Sequence, residues 1–509
     1  MRRAAYEGIE QDSKPVVILS DAEGPRSDFE LLGVGCLSMR SALLPFLMPK
    51  YQAKSRVTPT SDYDLFMLKS RPLDSFPATA AILLVIVGTL TGCFGHSTRP
   101  TDSAATEDGS LSAPLSSPLR SPACQVHFPD QNGWYGGDAA YSVPLPEPSA
   151  PESRSRSVWL FGDTFVERAD QPGRRAYPYV HNSMGISRCA ANGDWSLETF
   201  WKSQDGVAAG SFFQPNPESG WATEAHEKTG KPPYYWPMDG FVVNGTLFIG
   251  LLRVAHSEPR GPFHLPFRII GTDLARIENP NDSPQNWRVR ISMLSEDPVF
   301  FPGTAFAVQG EHVYAFAFFD RDDGHAPRGL IRLPIEVLFD SENVLSERIE
   351  TFEVNGSWKR GLHAQSAAIV IPSDATEMSV HWNSGRNRWL AVETSPSHTA
   401  SDPGERGLIR FRESEKLEGP WSTARPLLQI PELQPSSRDT TPANTFCYAA
   451  KAHSQYSKTD ELIITYVCNL YARSPEEGFV VLEELTHRSD LYRPRVVRVS
   501  LPPVDRGSH

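Results

Sequence analysis

"GFVVNGTLFIGLLRV", residues 240 to 254, is two apolar runs separated by Asn-Gly. Asn-Gly accepts the positive φ angles of the tightest turn between antiparallel strands, so the stretch reads as a β-hairpin. The plan recurs in "AAYSVPL" (139–145) with "SVWLFGDT" (157–164), in "TAFAVQGEHVYAFAFFD" (304–320), in "MSVHWNSGRNRWLAVET" (378–394) and in "YAAKAHSQYSKTDELIITYVCN" (448–469). From the second unit onward the spacing is about 70 residues, and the longer first gap reads as an insertion near 195–232. Five hairpins at near-constant spacing predict an all-β fold, a five-bladed β-propeller of about four strands per blade over residues 124–509. The rival architecture is a large β-sandwich.

Composition supports a folded, soluble body. The 509 residues are 39% hydrophobic and 10% aromatic, and 44 Pro with 36 Gly punctuate many short segments, the texture of strands joined by turns. With 49 basic against 61 acidic residues the formal charge is −12, which disfavours a nucleic-acid partner because phosphate binding needs a concentrated basic face.

Residues 67–93, "MLKSRPLDSFPATAAILLVIVGTLTGC", carry a Met, two basic residues, a short apolar core and small residues ending in Cys93. That apolar run is shorter than a membrane-spanning helix needs and reads as a secretory signal. Its last four residues resemble the lipobox of bacterial lipoproteins, which would make Cys93 the lipidated mature N-terminus. Residues 1–66 then precede the true start at Met67, and the Ser/Thr/Pro/Ala-rich stretch 94–123 is a flexible tether. The expected location is the cell envelope or surface, with the lipid as membrane anchor. Export leaves Cys124, Cys189, Cys447 and Cys468, an even set in an oxidising compartment. Cys447 and Cys468 sit on strands that would pair in one hairpin, Cys124 with Cys189 follows by elimination, and four free thiols are the alternative.

In a propeller the first strand of each hairpin is innermost, and its opening end points at one face of the central channel. Asp138, Asp239, Gly303 with Thr304, Glu377, and Lys451 with His453 stand at those openings. The closing ends of the second strands return Asp163, Arg253, Asp320, Glu393 and Asn469. Asp138 and Asp163 become neighbours because the strands that carry them run antiparallel. A ring of carboxylates repels itself and is tolerated where a ligand or a shifted pKa repays the cost. Paired carboxyl groups are the equipment of glycoside hydrolysis, and adjacent strand positions favour the shorter, retaining separation. Tyr235 and Trp236 suit stacking on sugar faces, with Asn182, Arg253 and His453 as further substrate-binding candidates. Asp138, Asp163, Asp239 and Glu377 are the catalytic candidates. A serine-hydrolase reading fails at "HNSMG", where His181 replaces the first glycine of the nucleophile elbow. No zinc-ligand spacing or calcium loop occurs, so no metal site is assigned; Ca²⁺ is the one ion the carboxylates would suit, and no other cofactor is expected.

"GWYGGDAAYSVPL", "VWLFGDT", "HNSMGISR", "YYWPMDGFVVNGTLFIGLLRV" and "LEGPWS" resemble bacterial propeller domains long described as of unknown function, some of which cleave D-arabinan. The likeness spans about residues 125–502 and extends, more distantly, to the arabinanase and levansucrase hydrolases. The D-arabinan-cleaving relatives imply Asp138 and Asp163 as the catalytic couple. The arabinanase plan implies Asp138 as base, Asp239 as modulator and Glu377 as acid. The resemblance thus implies a glycoside hydrolase acting on a polysaccharide or oligosaccharide such as an arabinofuranose-containing glycan, and a monomer is expected. The alternative is a non-catalytic glycan-binding propeller lipoprotein.

Overall fold

A computed structural model of the chain describes residues 123–503 apart from 146–153, 169–170, 176–178, 191, 205–207, 261–264, 322–324, 341–344, 396–406, 435–436, 438–440, 473–476 and 489. The leader at 67–93 with Cys93, the stretch before it and the tether up to residue 122 lie outside the described residues.

Each of the five hairpins opens its own antiparallel sheet, and within each sheet the strands follow one another in chain order. Sheet one holds Tyr141–Leu145, Arg154–Phe161, Ser183–Cys189 and Trp195–Phe200; sheet two holds Tyr234–Val243, Thr246–Arg260, Leu265–Ile277 and Val289–Ser295. Sheet three, opened by Phe300–Gln309 and His312–Phe319, has five strands; sheet four, opened by Ser379–Asn383 and Arg388–Thr394, has four. Sheet five has three, Thr445–Ala452, Glu461–Leu470 and Arg495–Ser500. At the turn of the second hairpin Asn244 and Gly245 take φ angles of 51° and 75°, as the turn chemistry requires.

The continuous apolar runs are explained by burial on both sheet faces. Successive side chains of a strand point to opposite faces. Leu247, Ile249 and Leu251 pack against sheet one, while Phe248 between them packs against sheet three. Further cores join sheets three and four, with Phe316 and Trp389, and sheets four and five, with Phe411 and Ile464. A fifth core unites Trp159 and Leu197 of sheet one with Tyr456 and Ile463 of the last hairpin. Polar contacts reinforce this last junction: Ser142 Oγ lies 2.6 Å from His453 Nδ1, and Gln455 Nε2 donates to Ser142 Oγ at 2.8 Å. A side chain such as Trp159, fully buried here, stabilises by at least the roughly 1.5–3 kcal/mol of a buried large hydrophobe. A two-sheet sandwich has one interior between two sheets and does not describe this arrangement.

The predicted insertion begins later than the sequence suggested. Trp195–Phe200 is the outer strand of sheet one, held by the burial of Trp195 and Leu197. The added material is a short ribbon, Lys202–Gln204 with Ala208–Gly210, and a helix, Gly220–Thr229. Disulfides join Cys124 to Cys189 and Cys447 to Cys468, the latter two standing opposite each other in the fifth hairpin.

Candidate active site

The first strands do not run smoothly. Pairing skips two residues between Pro237 and Gly240, between Pro302 and Ala305, and between Tyr448 and Lys451. In sheet one the equivalent break lies at Asp138–Ala140, between Trp134–Gly137 and Tyr141–Leu145. Such bulges re-aim side chains out of the ladder. Asp138 and Asp163 therefore lie at the middle of a long two-strand ribbon, not at its outer end, because Thr164–Arg168 continues beyond Asp163 and pairs with Trp134–Gly137. Asp239 likewise sits in a bulge within its strand and not at a strand opening.

The two aspartates are coupled through the backbone. Asp138 N–H donates to Asp163 O at 3.3 Å, and Gly162 N–H donates to Asp138 O at 3.3 Å. Any Cβ on Gly162 would overlap Asp138 Oδ1, so glycine is what lets this carboxyl lie against the second strand. Tyr448 Oη donates to Asp138 Oδ2 at 2.7 Å, and the Tyr492 hydroxyl also bonds this carboxyl. Burial raises the Asp138 pKa far above the usual carboxylate range, and the charges of Asp163 and Glu377 push it further the same way against the tyrosine hydrogen bonds. Both effects favour the protonated form of Asp138.

Asp163 is set differently. Its Oδ1 accepts from Trp236 Nε1 at 3.0 Å and lies 3.1 Å from His181 Nδ1, and the Tyr179 hydroxyl bonds it too. His181 is itself stacked on Tyr234, ring centroids 3.6 Å apart. These contacts orient the Asp163 carboxyl group. Asp138, Asp163 and Glu377 line one cavity of about 470 Å³ together with Trp236, Tyr179 and Tyr448.

Glu377 is ion-paired at 2.5 Å to Lys451, whose side chain is 1% exposed. Asp239 belongs elsewhere: it accepts from Phe306 N–H at 2.8 Å and lines a second cavity of about 240 Å³ with Ser142, His381, His453 and Lys451. Burial lifts Asp239 to a pKa of about 7. Tyr141 borders both cavities. The structure thus brings Asp138, Asp163 and Glu377 together and separates Asp239 from them.

Four of the binding candidates do not line the larger cavity. Tyr235, one residue from Trp236 and so on the opposite face, donates to Asp273 at 2.5 Å. Arg253 is buried in an ion pair with Asp273 and also bonds Glu296. Asn182, fully buried, spends its amide on Phe213 and Tyr235 backbone groups. His453 bonds Ser142 and Thr465 beside the smaller cavity, and burial drives its pKa down to about 3, so the ring is neutral. Trp236 alone of the five touches a catalytic candidate. The residues missed were His181, Tyr179, Tyr448 and Tyr492. His181 is adjacent to Asn182 in "HNSMG", just before the strand Ser183–Cys189, and only His181 reaches Asp163 while Asn182 turns its amide to the Phe213 and Tyr235 backbone. Among the described residues the set of three potential metal-ligand side chains that converges is Glu432 with Cys447 and Cys468, where the two sulfurs are already bonded to each other.

Residues 124–501 match the family described as a domain of unknown function (DUF5005). No curated protein matches the chain. Among solved structures, a candidate hydrolase from Bacteroides ovatus is similar at 17% identity, with 72% of this chain and 86% of that one covered and a TM-score of 0.48. An α-L-arabinofuranosidase from Lactobacillus brevis is similar at 11% identity, covering 74% and 93%, with a TM-score of 0.36. An α-L-arabinanase from Cellvibrio cellulosa is similar at 10% identity, covering 72% and 94%, with a TM-score of 0.33. These likenesses are distant.

Proposed function

This chain belongs to the DUF5005 family, and we propose that its described sheets form a five-bladed β-propeller acting as a glycoside hydrolase. The observation that carries the reading is the pairing of Asp138 and Asp163 at one cavity with opposite environments. Two carboxyl groups with divergent roles on either side of one bond are what glycosidic cleavage needs. Asp138, neutral, gives its proton to the glycosidic oxygen as the bond to the anomeric carbon breaks. Asp163 either attacks that carbon or takes a proton from the attacking water. Trp236 holds Asp163 through its indole N–H and lines the cavity in which the sugar would sit. The succession of five inter-sheet cores, the last joining sheet five to sheet one, supports radial blades.

The substrate we favour is a polysaccharide or oligosaccharide, with arabinofuranose-containing glycans first. A cavity of about 470 Å³ falls within the ordinary range of small-ligand sites and has room for a few sugar units. We place the protein in the cell envelope as a lipoprotein anchored through Cys93 and acting as a monomer. Two disulfides in the body support an oxidising compartment.

The test compares wild type with Asp163→Asn and Asp138→Asn on a panel of plant, fungal and mycobacterial cell-wall glycans, measuring released sugars and binding. Both variants should lose at least about a hundredfold in turnover while keeping affinity. Binding without cleavage by the wild type on every glycan would instead assign a non-catalytic glycan-binding propeller.

A further inference from the structure

Lys451 is a deeply buried cation beside the carboxylates, and none of its donors is spare. Its ammonium donates to Ala139 O at 2.5 Å, to Glu377 Oε2 at 2.5 Å and to Ala449 O at 3.0 Å, which uses all three N–H groups. The ammonium also lies 4.1 Å from the centroid of the Tyr141 ring. Its two carbonyl partners are not ordinary strand positions. Ala139 and Ala449 have φ angles of 62° and 61°, in the left-handed region that disfavours any residue with a Cβ. Each is the residue immediately after a member of the acid site: Ala139 follows Asp138, and Ala449 follows Tyr448, the donor to Asp138. Strained backbone persists only where its surroundings over-determine it.

We propose that Lys451 is a positioning residue: its ammonium pins the two bulges that carry Asp138 and Tyr448, with Glu377 as counter-ion, and so sets the geometry of the acid. The proposal rests on the reading that Asp138 acts in the larger cavity. It assigns Lys451 no contact with substrate. Sheet five and the segments leading into sheets one and four meet at this one nitrogen. A point donor with three convergent hydrogens suits that meeting, whereas the planar fork of arginine cannot aim three donors at three convergent oxygens.

The test uses Lys451→Met, which keeps most of the length and loses the donors, and Lys451→Ala, which leaves space beside the smaller cavity. Crystal structures of wild type and Lys451→Met read the pin without reference to turnover. Ala139 and Ala449 should leave the left-handed region, and Asp138 should lose its contact with Tyr448; both φ angles unchanged would overturn the proposal. On a glycan that wild type cleaves, Lys451→Met should lose about a hundredfold in kcat with KM within threefold. Ethylammonium should restore at least tenfold of the loss in Lys451→Ala, and tetramethylammonium, which has no N–H, should not. Rescue by neither cation, or equally by both, would also overturn it. Should Lys451→Met fail to fold, Lys451→Arg retains the charge and is expected to show the same kcat loss; full activity there counts against the pin. If wild type cleaves no glycan, the hydrolase reading falls while the two φ angles still decide the pin.

Discussion

His181 Nδ1 stands 3.1 Å from Asp163 Oδ1, while the same imidazole ring is stacked at 3.6 Å on Tyr234. The stack fixes the ring plane and the contact fixes the carboxylate. His181→Ala should therefore remove this contact and lower kcat about tenfold. Steady-state kinetics with a cleaved glycan check this. A change below threefold would show that Trp236 and Tyr179 orient Asp163 without help.

Gly162 is needed for space. Its Cα faces Asp138 Oδ1 so closely that a methyl group must displace the carboxyl. Gly162→Ala should lose most activity while costing only the roughly 1–3 kcal/mol of local overpacking. Melting temperature and turnover measured on one preparation separate the two effects. Wild-type turnover would mean that the acid does not need this approach to the second strand.

Glu377 acts on Asp138 through charge. Its carboxylate is among the causes that raise the Asp138 pKa, after burial and Asp163. In Glu377→Gln the negative charge goes and the Lys451 ammonium is left without its counter-ion. Both changes favour ionised Asp138, so the basic limb of the kcat/KM profile should move to lower pH. A limb that stays in place or moves to higher pH would assign it to another group.

Asp239 links stability to pH. Burial lifts it from 3.8 to about 7, so between those values the folded chain keeps a proton that the unfolded chain has lost. The contribution is fully present below about pH 4 and is lost as the pH rises towards about 7. Asp239→Asn retains an acceptor for Phe306 N–H and has no proton to lose. The difference in melting temperature between variant and wild type should grow in the variant's favour from pH 5 to pH 7.5. A constant difference would place the titration on another group.

Much of the architecture was legible locally. The Asn-Gly turn, the paired apolar runs and their spacing are short-range chemistry, and they located all five hairpins and the closeness of Asp138 to Asp163. Bulges were not legible, because a register skip depends on the neighbouring strand and leaves no periodic mark. Asp239, which the sequence groups with Asp138, Asp163 and Glu377, therefore lines the smaller cavity, and Asp138 and Asp163 lie within a ribbon and not at strand ends. Tyr492 carries no signal at all, since it reaches Asp138 from the loop after the helix Glu477–His487.

The order of residues alone dictated strands, turns and the two-sided burial that demands many sheets, since each follows from side-chain alternation and the few dihedral angles a turn permits. Only the assembled fold decided which carboxyl is neutral, which is held by donors and which is matched to a buried ammonium. Those states depend on desolvation and on partners hundreds of positions away, as with Tyr448 and Asp138, 310 apart, and distance along the chain carries no information about either.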